Sequence, residues 1–133
     1  MTRDELNLRC ETIERAYEFM LAYAAQGLSG DAASQMGGQV RDYLSRAAAA
    51  LTDLGPAYAA VVQRDGLEPA ATYRTFVEVL DRDARSALAA FELVLAQPVI
   101  GSQLVDNLNA SIHVRTLLTD LFLIDEVLKA SST

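Results

Sequence analysis

Seven apolar residues, Tyr73, Val77, Leu80, Ala84, Ala87, Phe91 and Val94, recur at alternating steps of four and three. At about 100° per residue, such steps return to one side of an α-helix. A strand would scatter the same residues over both faces of a sheet. The opposite side carries Arg74, Glu78 and Arg82, with Asp81 four residues before Arg85. Opposite charges at this spacing mark a solvated helix face. Glu68-Pro69 opens this segment and Gln97-Pro98 breaks it, proline being tolerated in a first turn but not in a helix interior.

The same periodicity recurs elsewhere. Leu6, Cys10, Ile13, Tyr17, Met20 and Ala24 predict a helix over about 3–26. Thr2 and Glu5 have capping-box spacing at its start, and Gly27 is a candidate C-cap at its end. Residues 28–37 are rich in Gly, Ser and Ala and read as a loop. Val40, Tyr43, Leu44, Ala47, Leu51, Leu54, Tyr58 and Val61 predict a helix over about 38–64. A kink or break is expected near Gly55-Pro56, with Asp65-Gly66 closing the segment. A fourth helix is expected from Ser102, as N-cap, to about Lys129.

The expected fold is therefore all-α, an up-down four-helix bundle, with residues 1–133 as one helical domain. A chain that is 51% hydrophobic and 22% charged has the material for a core.

The fourth segment is less regular. Leu117, Leu121, Ile124 and Leu128 hold one face, whereas Leu104, Val105, Leu108 and Ile112 lie about half a turn away. Asp106, Asn109, His113, Thr116 and Asp120 form a polar stripe at steps of three and four. Three readings stand. The helix breaks or changes phase around Asn107–Asn109; the stripe is a solvated flank; or it lines a polar groove that binds a ligand or partner.

The net charge is −7, and the basic residues are scattered. That field repels phosphate backbones and anionic lipid, so neither nucleic acid nor a membrane is an expected partner. The N-terminal residues include Asp4 and Glu5 where a secretion signal needs an apolar run, and no apolar run reaches spanning length. With a single cysteine as well, the expected location is the cytoplasm.

Catalytic and metal signatures are missing. His113 is the one histidine, and the residue three before it is Ala110, so the Glu-x-x-His pairs of di-iron bundles are absent. Neither a metal nor a cofactor is expected. Gly37-Gly38 lacks the Lys-Ser/Thr that completes a phosphate loop. Cys10 lies on an apolar stripe and reads as a small buried hydrophobe rather than a nucleophile, with Glu11 and Glu14 nearby to oppose a thiolate. Glu11, Glu14 and Glu18 form an acidic ridge: a solvated face, or a docking surface for a basic partner or a weak cation site.

Leu8, Phe19, Tyr23, Phe122 and Leu123 lie off the core stripes; they are interface candidates, or they fill the spaces between adjacent helices of one chain. The leading expectation is a non-enzymatic interaction module, an accessory, adaptor or regulatory protein that forms a homodimer and engages a protein partner. The alternative is a small-molecule-binding bundle or sensor with a polar site near Asp106, Asn109 and His113. An enzyme pairing His113 with Asp106 or Asp120 would need those side chains to meet across helices.

Overall fold

In the computed structural model, residues 1–131 are described; for residues 30–32 and 34–37 the description extends to the backbone alone. The described residues hold six α-helices and no strand: α1 (Arg3–Ala25), α2 (Gly30–Leu51), α3 (Leu54–Arg64), α4 (Ala70–Leu95), α5 (Ser102–Ala110) and α6 (Ile112–Ser131). The all-α expectation holds. Four segments were expected, and the second and fourth each divide in two.

The start of α1 follows its sequence signal. The Thr2 hydroxyl accepts from the Glu5 N–H at 3.1 Å, and the Glu5 carboxylate accepts from the Thr2 N–H at 3.0 Å. Gly27 and Gly66 both adopt positive φ, the backbone that lets the chain leave a helix without a Cβ clash. At the start of α4, the Glu68 carboxylate accepts from the Ala70 N–H at 3.0 Å.

Three boundaries differ from expectation. The Gly-Ser-Ala stretch predicted as a loop is helical from Gly30. Alanine has the highest helix propensity, and Ala33 is buried, so packing and propensity together outweigh the glycines. The break expected near Gly55-Pro56 falls just before it, at Thr52-Asp53, where Asp53 takes a left-handed φ of 56°. Pro56 thus sits in the first turn of α3, where its missing N–H costs nothing. The fourth predicted helix breaks at Ser111, whose ψ of 129° is extended. That is two residues beyond the expected region, and it accounts for the jump in apolar phase between the two halves.

Gly55 is buried under α4, and a Cβ there would run into the Cβ and carboxylate of Asp81. Gly55→Ala is expected to cost about 1–2 kcal/mol, the overpacking penalty less the helix propensity that alanine gains. Chemical denaturation checks this; an unchanged midpoint would mean that α3 and α4 are not held this closely.

One cluster of buried side chains draws on all six helices, with Met20, Tyr23, Val40, Leu44, Tyr58, Leu80, Val105 and Leu121 among its most enclosed members. Helix α1 packs mainly on α2 and α5, whereas α4 receives α3 and α6 as well as α2. Past each break, the chain therefore turns from α1 towards α4.

Three of the scattered arginines tie these elements together by capping the C-termini of other helices. Arg9 of α1 donates to the carbonyls of Ala50, at 2.8 Å, and Thr52, at the end of α2. Arg41 of α2 donates to Leu95, at 2.9 Å, and Gln97, at the end of α4. Arg3 of α1 donates to Leu128 in the last turn of α6 at 2.9 Å and pairs with Asp65 at 2.6 Å. Each guanidinium supplies donors to carbonyls that a helix terminus leaves unpaired.

Candidate functional site

The polar stripe of the fourth predicted segment is not a single surface. Asp106 and Asn109 belong to α5, and His113, Thr116 and Asp120 to α6, so the break at Ser111 divides them. Asp106 and His113 are exposed, Thr116 is half-buried, and Asn109 and Asp120 are buried. The cavity beside Asp106, about 310 Å³, is lined by Ala24, Gly27, Leu28, Ser29, Ser102 and Gln103 and does not reach Asn109 or His113. The amide of Asn109 has no hydrogen-bond partner among the described residues. Nothing in the structure explains that desolvation cost.

Ser102, expected as an N-cap, is the first residue of α5, with Gly101 in the cap position. Its hydroxyl stitches α5 to α1 instead, accepting from the Leu28 N–H at 2.8 Å and donating to the Tyr23 carbonyl at 2.6 Å. The hydroxyl is thus engaged across the helix interface rather than at its own helix end.

Asp120 packs against α4, where Asp83 faces it. Burial first, and then the neighbouring Asp83 carboxyl, push Asp120 from 3.8 up to about 7. The pair is comfortable when it shares a proton and repels when both groups are ionised. Because the folded-state value lies above the unfolded one, folding binds a proton here. The stabilisation is full below about pH 4 and is lost as pH rises towards 7. Asparagine would hold a permanent N–H donor in this place. Asp120→Asn is expected to stabilise the chain by about 1–2 kcal/mol at pH 8 and to change little at pH 4. Thermal melts at the two pH values check this, and equal effects at both would refute the shared proton.

The interface candidates also separate. Leu8, Phe122 and Leu123 are exposed, at 63%, 58% and 55%. Tyr23 is not a surface residue: it is fully buried, and its hydroxyl donates to the Ile100 carbonyl at 2.6 Å. Phe19 is half-buried and stacks on Tyr43 with ring centroids 4.2 Å apart. Both aromatics fill space between neighbouring helices of one chain.

The largest concentration of unusual chemistry lies elsewhere, between α1 and α6. Because α6 leans on α4, it barely meets α1, and a groove of about 430 Å³ remains. Leu6, Cys10 and Leu128 line it with apolar surface, Phe122 contributes an exposed ring, and Glu11, Glu14, Asp125 and Glu126 bring four carboxylates. Arg3 and Lys129 are the cations on its walls, and Arg3 is already engaged with Asp65 and the Leu128 carbonyl.

A buried relay runs beneath this groove. The Tyr58 hydroxyl donates to Asp125 Oδ1 at 2.8 Å, and Cys10 Sγ lies 3.0 Å from the same hydroxyl. Tyr58 has one proton to give, so the Cys10 thiol is the donor in the second bond. Burial raises Tyr58 far above the ordinary phenol range. Burial also pushes Cys10 up to about 12, helped by the charges of Asp125 and Glu14. The thiol stays protonated at neutral pH and is not an activated nucleophile. Asp125 is raised by burial, with the Tyr58 bond and Lys129 opposing the rise. Glu14 is raised by burial first, and then by Asp125, Glu11 and Glu18. The acidic ridge of α1 is thus completed by the carboxylates of α6, and its members crowd one another.

Of this constellation, Glu11, Glu14 and Cys10 were visible in the sequence, Cys10 as a buried side chain. Tyr58, Asp125 and Glu126 were missed. Tyr58 sat on an apolar stripe, and Asp125 had no partner within its own helix. Among the described residues, no group of three or more His, Cys, Asp and Glu side chains is placed to hold a metal ion, and no helix is long and apolar enough to cross a membrane.

Comparison with family models, curated proteins and solved structures finds no match to this chain.

Proposed function

We propose that this chain is a non-enzymatic interaction module whose working surface is the groove between α1 and α6, and that its occupant is a basic amphipathic helix of a partner protein. The observation that carries this reading is the groove's composition: an apolar floor with an exposed phenylalanine, bordered by four carboxylates against two cations. An amphipathic helix laid in such a groove buries its apolar side and sets its basic side chains against the acidic walls. The crowding that raises Glu14 is relieved by an incoming cation. Cys10 and Tyr58 are structural in this account, holding Asp125 in place under the groove.

The same reading takes the six helices as four rods of an up-down bundle. Here α2 with α3 and α5 with α6 are two bent rods, and their bends open the groove. It also takes the protein to act in the cytoplasm as an accessory or adaptor, with Cys10 kept as a buried free thiol. The small-molecule reading rested on Asp106, Asn109 and His113 acting together, and their differing burial does not favour it.

The test is fluorescence anisotropy with a labelled helical peptide bearing leucine on one face and lysine on the other. Binding is expected at low salt and should weaken as salt is added. Glu11→Lys and Glu14→Lys should each weaken it about tenfold, the size of a lost charge contact at an interface. Binding that ignores both variants, or no binding at all, would overturn the assignment.

A further inference from the structure

Helix α6 has a second face that no other described residue covers. Ile112, Thr116, Thr119, Leu123, Val127 and Ala130 follow one another at steps of four, three, four, four and three. They form a stripe about 27 Å long on the side away from the core. Ile112 is 71% exposed, Leu123 55% and Val127 40%; Thr119 and Ala130 are exposed, and Thr116 is half-buried. No charged residue interrupts the stripe. Isolated apolar residues on a surface are ordinary, but a continuous uncharged stripe of helical period is the pattern of a helix-pairing seam.

The charges beside the stripe identify what fits it. Arg115 and Glu126 are eleven residues apart, close to three full turns, so they border the same edge. Both are exposed, and neither has an ion pair within the chain among the described residues. When two copies of α6 are laid antiparallel about a two-fold axis near residue 121, Thr119 of one lies opposite Leu123 of the other. Ile112 then faces Ala130, and Thr116 comes beside Val127. The same register sets Arg115 opposite Glu126, and the symmetry makes that contact twice. A parallel pairing would carry the two copies of this edge to opposite sides of the seam, and Arg115 would not meet Glu126.

We propose that the chain self-associates through this face, as an antiparallel α6–α6 homodimer fixed in register by two Arg115–Glu126 ion pairs. The proposal rests on the interaction-module reading; its seam is a neighbouring face of α6 that shares Glu126 with the edge of the groove. The net charge of −7 does not oppose it at the contact, because the seam is uncharged and its two edges are mutually complementary. It also narrows the expected interface from α1 and α6 together to α6, with Leu123 at its centre and Tyr23 excluded by burial.

Sedimentation equilibrium of the full chain over a wide concentration range tests the pairing. The wild type is expected to move from monomer to dimer in the micromolar range, since a single helix pair makes a small interface. Arg115→Glu and Glu126→Arg should each weaken the dimer at least about tenfold, because each places like charges at both edge contacts. Combining the two reversals should restore the wild-type constant. Both positions are exposed, so circular dichroism should be unchanged in every variant. A wild type that stays monomeric throughout would overturn the proposal, as would a dimer indifferent to the single reversals or one not rescued by the double. Leu123→Asp is expected to be monomeric yet to keep its affinity for the cationic peptide. The two readings therefore fail separately.

Discussion

Leu80→Ala is expected to lower the unfolding free energy by about 2–5 kcal/mol, and Phe91→Ala by a similar amount. Leu80 is wholly buried and Phe91 is 2% exposed, on the side of α4 that faces the rest of the chain. Helix α4 receives α2, α3 and α6, so a void on this face withdraws contacts from several helices together. The cost combines lost transfer of the deleted carbons with the cavity that rigid helices cannot collapse to fill. Marginal stability, at about 5–15 kcal/mol for a domain, makes such a loss plain in urea titrations. A change under about 0.5 kcal/mol for both variants would contradict the role given to α4.

The second large effect is expected at Tyr58. Replacing it with phenylalanine keeps the ring and its packing but removes the donor to Asp125 and the acceptor for the Cys10 thiol. A hydrogen bond to a charged group is worth about 1.5–3 kcal/mol, and Tyr58→Phe is expected to cost that much at neutral pH. The sign of the pH dependence follows from the chemistry. The Tyr58 bond opposes the rise of Asp125, so it favours the ionised carboxylate. Removing it lets the folded-state value climb further above the unfolded one. The penalty is therefore largest where Asp125 is ionised and shrinks as pH falls and the group protonates. Denaturation at pH 5 and pH 8 measures the difference. A penalty that grows towards acid would mean that Tyr58 does not stabilise the charged form. Cys10→Ser provides a control, since a hydroxyl keeps a donor in the same place.

The helices were legible in the sequence because their signals are local. The capping box at Thr2 and Glu5, the glycines at positions 27 and 66, and the stripe from Tyr73 to Val94 each depend on residues within a few turns. The breaks were half-legible. Gly55-Pro56 pointed to a discontinuity, but proline is compatible with a first turn, and the chain bends two residues earlier at Asp53. At Ser111 there is neither glycine nor proline. The signal there was the phase jump between Leu108 and Leu117, which located the break to within a few residues.

What the sequence hid is long-range. Arg3, Arg9 and Arg41 read only as scattered basic residues, yet they cap the ends of helices far from them in the chain. The polar stripe from Asp106 to Asp120 left three readings open, since its spacing alone does not say whether one helix or two carry it. The groove's acidic wall was visible only on α1, in Glu11 and Glu14. Its other wall depends on α6 leaning towards α4, which no local pattern encodes. Phe19 and Tyr23 could be placed either at an interface or between adjacent helices, because a stripe of helical period does not say how wide the gaps beside it are.

The most direct test of the groove is a heteronuclear NMR titration of the isotopically labelled protein with the cationic amphipathic peptide. The account predicts that amide shifts gather at Asn7, Glu11, Glu14, Phe122, Glu126 and Lys129, while α2 and α3 stay nearly unperturbed. Shifts spread evenly over the acidic surface, or centred on α4 or around Asp106 and His113, would contradict it.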